Sequence, residues 1–86
     1  MSKIVFSEEA WESYLYWQSQ DKKTLRKINS LLKIIQRTPF SGEGKQEPLK
    51  HTKNWSRRIN EKDRLVYHIE DEFVYVIQCK GHYQDK

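Results

Sequence analysis

Glu47 is the first side chain in this sequence that could do acid–base chemistry. It is the only acidic residue between Lys45 and Lys50. A carboxylate among cations stays ionised, so it could accept a proton from a hydroxyl group held nearby. An isolated loop glutamate is more often a solvated side chain with no catalytic role, and Glu47 alone leaves both interpretations open.

A second candidate group consists of arginines. Arg57 and Arg58 are neighbours in a segment that alternates like a β-strand, so their side chains should point to opposite faces of a sheet. Arg64 opens the next alternating segment and should lie close to Arg58 or its neighbours in the hairpin. The forked donors of arginine suit phosphate, although these residues could equally be ordinary surface arginines paired with Glu61, Asp63 or the acidic residues of the helices.

His82 and Tyr83 follow the last predicted strand, directly after Gly81. The unperturbed pKa of histidine is about 6.5, so His82 could donate a proton near neutral pH. A histidine at such a position is more often frayed and without a partner. Of the other histidines, His51 is expected to line the basic loop, and His68 to be structural.

Together, a carboxylate, arginines and a histidine allow one specific chemistry, which is cleavage of RNA without a metal ion. A base removes the proton of the 2′-hydroxyl group, cations stabilise the dianionic phosphorane, and an acid protonates the departing 5′-oxygen. Glu47, Arg64 and His82 would supply these three roles if the fold brings them to one face. Their spacing in the sequence does not show that it does.

Length, composition and charge limit the kind of protein that could position these groups. The chain of 86 residues is expected to form one domain over residues 1–86, without a membrane span or secretory signal. A single cysteine fits a reducing compartment, so a cytoplasmic location is expected. One cysteine and three histidines lack metal-ligand spacing, so neither a metal nor a cofactor is predicted. The formal net charge is +4, but residues 21–64 hold thirteen basic and five acidic side chains, a net charge of +8. This basic segment suggests a surface that faces a polyanion.

Two helices are predicted after a short strand at residues 3–6. Ser7 is a good N-cap for the first helix, and Asp21 is a good N-cap for the second. In the second helix, apolar residues from Leu25 to Ile35 recur at helical spacing, and Pro39 ends the pattern. The short joint between the helices predicts an antiparallel αα-hairpin.

Residues 41–48 are predicted to form a loop, after which the hydrophobic period changes to two. Residues 55–60, 64–69 and 73–80 alternate like strands and are separated by short polar turns. The order is therefore β-α-α-β-β-β. This order predicts an α+β fold in which a helical hairpin covers one face of an antiparallel sheet.

Over nearly the whole chain the sequence resembles the YoeB family of bacterial toxins, within the RelE superfamily. The matching segments are 7–11 (SEEAW), 14–18 (YLYWQ), 37–42 (RTPFSG), 47–51 (EPLKH), 55–59 (WSRRI), 64–67 (RLVY) and 82–83 (HY). The resemblance implies a microbial-RNase-like fold and a toxin of a type II toxin–antitoxin pair. Such toxins cut mRNA in the ribosomal A site and are silenced by a YefM-type antitoxin.

The resemblance also assigns roles to residues. It implies that Glu47 is the general base, that Arg64 stabilises the phosphorane, and that His82 is the general acid. It further implies a homodimer, and a toxin–antitoxin complex that binds operator DNA. For substrate contacts, the resemblance implies Lys50, Arg58 and Tyr83. His51 and Arg57 are expected to join them, which gives Lys50, His51, Arg57, Arg58 and Tyr83 as the full set.

Two other functions compete with this prediction. The charge of the basic segment would also suit a non-catalytic module that binds RNA, the ribosome or DNA. A related branch of toxins shares the fold and attacks gyrase. The His82–Tyr83 pair and the basic loop argue against that branch.

Overall fold

The computed structural model describes residues 2–39, 44, 47–49 and 52–81 of the chain. Two helices and a five-stranded sheet make an α+β fold, as the sequence predicts. The elements are β1 (Lys3–Phe6), α1 (Glu8–Gln20), α2 (Lys22–Arg37), β2 (Glu47–Pro48), β3 (Trp55–Arg58), β4 (Arg64–Glu70) and β5 (Phe73–Gln78).

Both predicted helix caps are confirmed by their hydrogen bonds. The Oγ of Ser7 accepts a hydrogen bond from the amide of Ala10 at 3.0 Å, which satisfies a donor in the first turn of α1. The Asp21 carboxylate accepts hydrogen bonds from the amides of Lys23 and Thr24 and begins α2. The α2 helix ends at Arg37, two residues before Pro39.

The sheet has the order β1-β5-β4-β3-β2 and differs from the predicted antiparallel sheet in two respects. Strand β1 runs parallel to β5, with Lys3 opposite Phe73, while the other neighbouring strands are antiparallel. Strand β2 lies in the predicted loop and pairs with β3, Glu47 lying opposite Ser56. The sheet is therefore mixed and gains an edge strand that carries Glu47.

The core lies between the helical hairpin and one face of the sheet. Apolar residues of α2 form one buried cluster with alternate residues of β4 and β5, among them Ile28, Leu31, Ile35, Leu65, Tyr67, Val74 and Val76. Since neighbouring side chains alternate between faces, Arg64 and the residue opposite it, Arg58, lie on the other face. The helices thus occupy one side of the sheet, and the candidate residues can meet on the other.

Candidate active site

Glu47 and Arg64 form an ion pair. The Nη2 of Arg64 donates a hydrogen bond to the Oε1 of Glu47 at 2.8 Å. The carboxylate side chain is 58% exposed, while the arginine side chain is only 15% exposed. The fold therefore brings together two of the residues that the sequence singles out, although they are seventeen positions apart.

Ser56 completes this pair and was missed in the sequence. It is fully buried, and its Oγ accepts hydrogen bonds from Nε of Arg64 at 3.0 Å and from Nη2 at 2.8 Å. Ser56 lies opposite Glu47 in β2 and opposite Val66 in β4, so it occupies the centre of the site. The signal that could have found it is its position two residues before Arg58, which places both on one face of β3.

Arg58 lies directly opposite Arg64 in the β3–β4 pairing and is exposed. Two cations that face each other across a strand pair repel, so an anion between them is favourable. In this structure the carboxylate of Glu47 supplies a negative charge at Arg64. A phosphate group has the charge and the oxygen acceptors to meet the same arginines.

Arg57 lies on the face of the sheet that the helices cover. The prediction that it contacts substrate is therefore wrong, because its side chain is buried. Its side chain has no exposed surface. Its Nε donates to the Tyr67 hydroxyl at 3.0 Å, and its Nη2 donates to the carbonyl groups of Thr38 at 2.9 Å and Pro39 at 3.3 Å. Arg57 therefore ties β3 and β4 to the end of α2.

The segment after β5 returns to the site at Gly81. The amide of Arg64 donates a hydrogen bond to the carbonyl oxygen of Gly81 at 3.0 Å. The amide of Gly81 in turn donates to the Oδ1 of Asp63 at 2.7 Å. Four sequence-predicted site residues, Lys50, His51, His82 and Tyr83, lie outside the described residues.

Two buried acidic groups near the core have raised pKa values. Burial raises the pKa of the Tyr67 hydroxyl above its ordinary value of 10.0, and hydrogen bonding to Arg57 opposes this shift only in part. Burial, with smaller contributions from the Asp63 and Glu9 carboxylates, raises the pKa of the Cys79 thiol to about 12. Cys79 is therefore a protonated thiol at neutral pH and not a nucleophile.

The described residues contain neither a grouped set of metal ligands nor a membrane-spanning helix. Among them, no three His, Cys, Asp or Glu side chains are grouped so that they could hold a metal ion. No helix in the described ranges has the length and apolar character needed to cross a membrane.

The described site can therefore do two things. An exposed carboxylate can accept a proton, and a guanidinium oriented by a buried serine can stabilise an anion beside it. The distance of 2.8 Å between these groups means that one phosphate and an adjacent hydroxyl could contact both. This is an arrangement suited to transfer at a phosphate.

Comparison with known proteins gives consistent matches over almost the whole chain. The profile of a family described as YoeB-like toxins of bacterial type II toxin–antitoxin systems matches residues 6–83. The toxin YoeB of Escherichia coli strain K12 is 52% identical over 83 residues, which cover 94% of this chain and 99% of that relative.

Solved structures agree with the sequence match. A YoeB dimer from Staphylococcus aureus is 47% identical and has a TM-score of 0.90, with 95% of this chain and 98% of that chain covered. A heterotetrameric YoeB–YefM toxin–antitoxin complex from the same organism is 46% identical and has a TM-score of 0.89. That match covers 96% of this chain and 99% of the other.

Proposed function

The chain belongs to the YoeB-like family of toxins from bacterial type II toxin–antitoxin systems, and from this premise we propose that it is a ribosome-dependent endoribonuclease that cleaves mRNA without a metal ion. The observation that carries the proposal is the pairing of Glu47 with Arg64 at 2.8 Å, with Ser56 fixing the arginine. A base and an anion-stabilising group are thereby held at one point on the sheet.

In the proposed reaction, Glu47 accepts the proton of a ribose 2′-hydroxyl group. The 2′-oxygen attacks the adjacent phosphorus atom, and Arg64 stabilises the negative charge on the phosphorane. The bond from phosphorus to the 5′-oxygen then breaks, and that oxygen takes a proton from His82. The products are a 2′,3′-cyclic phosphate and a free 5′-hydroxyl group.

Substrate binding is expected to add a phosphate to the contacts of Arg64. Its Nη2 already donates to both Glu47 and Ser56, so the phosphate is expected to bind the remaining guanidinium donors or to replace the Glu47 contact. Because the Glu47 side chain is 58% exposed, its carboxylate can move into solvent, while Ser56 keeps its contact with the Arg64 guanidinium. Lys50, His51, Arg58 and Tyr83 are the proposed contacts to the rest of the RNA.

The proposed partners follow from the family. The toxin–antitoxin and dimer structures from S. aureus support a YefM-type antitoxin and a homodimer for this chain. The ribosome and its mRNA are the proposed targets in the cytoplasm, and operator DNA is bound only through the toxin–antitoxin complex.

The test is cleavage of a defined mRNA on purified ribosomes, at Mg²⁺ concentrations that keep the ribosomes assembled. The expected products carry 2′,3′-cyclic phosphate ends, and Glu47→Ala and His82→Gln should each lower the single-turnover rate by roughly 10²–10⁴-fold. Lys3→Ala, which changes a cation at the other end of the sheet, is the control for charge. A cleavage rate that keeps rising with Mg²⁺ once the ribosomes are fully assembled, or one that survives Glu47→Ala unchanged, would contradict the proposal.

The charge distribution favours a second candidate, a non-catalytic binding module. Residues 21–64 carry a net charge of +8, and α2 exposes several of these cations, including Lys22, Lys23, Arg26, Lys33 and Arg37. Such a module would bind RNA or ribosomes with a steep salt dependence and without producing new RNA ends. Growth arrest that is indifferent to Glu47→Ala would favour this candidate.

A further inference from the structure

The turn between β3 and β4 presents one buried carboxylate, that of Asp63. Only 9% of Asp63 is exposed, although most acidic side chains of small domains are solvated. Its backbone is fixed within the turn, since the Asp63 amide donates to Oδ1 of Asn60 at 2.7 Å and the Asp63 carbonyl accepts from the amide of Ile59 at 3.0 Å. The carboxylate therefore projects from a rigid support.

The partner of this carboxylate is the backbone of Gly81. Oδ1 of Asp63 accepts a hydrogen bond from the Gly81 amide at 2.7 Å, and the amide of Arg64, the first residue of β4, donates to the Gly81 carbonyl at 3.0 Å. Both polar backbone groups of Gly81 are thus held by two consecutive residues. A charged acceptor on a backbone amide gives one of the stronger hydrogen bonds in proteins.

The two residues that precede Gly81 in the chain are held by contacts with α1. The indole Nε1 of Trp17 donates to the Cys79 carbonyl at 2.9 Å, and Nζ of Lys80 lies 4.6 Å from the centre of the Tyr16 ring. The segment from Cys79 to Gly81 therefore has contacts with α1 on one side and with the β3–β4 turn on the other.

We propose that Asp63 is a positioning residue for the reaction, because it fixes Gly81, the last described residue before His82, against the backbone of Arg64. This inference rests on the proposed function, in which His82 is the general acid and Arg64 stabilises the phosphorane. The hydrogen bonds that join Asp63, Arg64 and Gly81 then set the distance between Arg64 and the start of the segment that carries His82. Asp63 itself touches neither the substrate nor the reacting atoms.

The first arm of the test measures single-turnover cleavage of ribosome-bound mRNA together with substrate affinity. Asp63→Ala should lower the rate by about 10–100-fold, because misplacement of a catalytic group by about 1 Å can cost 10²-fold, and it should leave the affinity unchanged. Asp63→Asn keeps an oxygen acceptor and should retain most of the rate. Glu61→Ala removes an exposed acid of the same turn and should have no effect.

The second arm asks whether Asp63 acts through His82. If it does, the Asp63→Ala and His82→Gln double variant should be no slower than His82→Gln alone, within about threefold. A further loss as large as the one that Asp63→Ala causes in the wild type would overturn the inference.

The third arm does not depend on activity. Amide hydrogen exchange at Gly81, measured by NMR, should be at least tenfold faster in Asp63→Ala and close to the wild-type rate in Asp63→Asn. Unchanged exchange at Gly81 in Asp63→Ala would overturn the inference even if cleavage falls. If the wild type does not cleave mRNA, the proposed function fails, and the exchange rates still decide whether Asp63 fixes Gly81.

Discussion

Arg64 uses the same nitrogen atom, Nη2, to contact Glu47 and Ser56, each at 2.8 Å. Ser56 is fully buried, whereas the Glu47 carboxylate is largely exposed, so the two contacts differ in their access to solvent. The contact with Ser56 orients the guanidinium within the sheet, and it remains when the exposed carboxylate of Glu47 moves away. The ion pair is therefore better suited to chemistry than to holding the fold together.

The first prediction follows from this difference. Glu47→Ala should change the free energy of unfolding by less than about 1 kcal/mol, because the carboxylate is exposed. The same substitution should lower mRNA cleavage by roughly 10²–10⁴-fold, because it removes the proposed base. Urea denaturation and single-turnover kinetics measure the two effects separately.

A matched control exists at the other end of the sheet. Glu72 forms an exposed ion pair with Lys3 at 3.5 Å, and the Glu72 side chain is 63% exposed. Glu72→Ala should leave both stability and cleavage nearly unchanged. A stability loss in Glu47→Ala of several kcal/mol, with cleavage reduced only in proportion to unfolding, would show that the pair is structural.

The second prediction contrasts the neighbouring arginines of β3. Arg57→Ala should lower the free energy of unfolding by about 3 kcal/mol, because it empties a fully buried position and removes the donor that binds the Tyr67 hydroxyl and the Thr38 carbonyl group. In a domain of this size that corresponds to a fall in Tm on the order of 15 °C. Thermal denaturation followed by circular dichroism measures it.

Arg58→Ala is the control for this prediction, because the same residue type is removed from the exposed face. It should change stability by less than about 0.5 kcal/mol but weaken RNA binding and reduce its salt dependence by about one ion. Equal stability losses in the two variants would contradict the assignment of Arg57 to the core and Arg58 to the site.

Much of the fold could be predicted because its signals are local. Ser7 and Asp21 are side chains that cap the helix which follows them, so a few neighbouring residues suffice to predict each helix start. The parallel pairing of β1 with β5 is different, since Lys3 and Phe73 meet only through the tertiary fold. A strand of two residues, such as β2, is too short to show any periodicity.

In the site, too, some features could be predicted from neighbouring residues, and others depend on contacts between distant parts of the chain. Alternation correctly placed Arg57 and Arg58 on opposite faces of β3, but it could not tell which face the helices cover. That choice depends on where α2 packs, and it places Arg57 beneath the end of that helix. Ser56 was missed because its spacing from Arg58 shows only that the two residues share a face of β3, and its role becomes visible only when Arg64 lies beside it.

The third prediction concerns Gly44, which precedes the strand that carries Glu47. Its φ is +94°, and a Cβ built there would lie 3.1 Å from the Cβ of Arg57 and 3.2 Å from Cδ2 of Leu31. Gly44→Ala should therefore cost about 1–2 kcal/mol for the left-handed conformation and more for the crowding. Urea denaturation should show a loss of about 2–3 kcal/mol.

Gly81→Ala separates the cost of the left-handed backbone conformation from the cost of crowding. Gly81 has a similar φ of +83°, but a Cβ added there meets no atom of the described chain within 4 Å. Its loss of stability should be limited to the conformational part, about 1–2 kcal/mol. If Gly44→Ala is no more destabilising than Gly81→Ala, the close approach of Gly44 to Arg57 and Leu31 does not constrain the fold.

The fourth prediction is a loss of stability at alkaline pH that originates at Cys79. In the folded protein burial raises the pKa of this thiol to about 12, while in the unfolded chain it returns to about 9.0. Above pH 9 the unfolded chain releases the proton and the folded protein keeps it, so rising pH favours unfolding. The free energy of unfolding should fall by about 1.4 kcal/mol for each pH unit from 9 towards 12 and stay constant, as far as this thiol is concerned, below pH 9.

Cys79→Ala isolates this effect from other groups that titrate in the same range. Tyr67, whose pKa is raised above 10.0 by burial, adds a slope of the same sign only above pH 10, so the interval between pH 9 and 10 reports on the thiol. Urea denaturation at intervals of half a pH unit should show a nearly flat curve for Cys79→Ala in that interval and a falling curve for the wild type. Parallel curves for the two proteins would show that the thiol is not protected from ionisation by its burial beside α1.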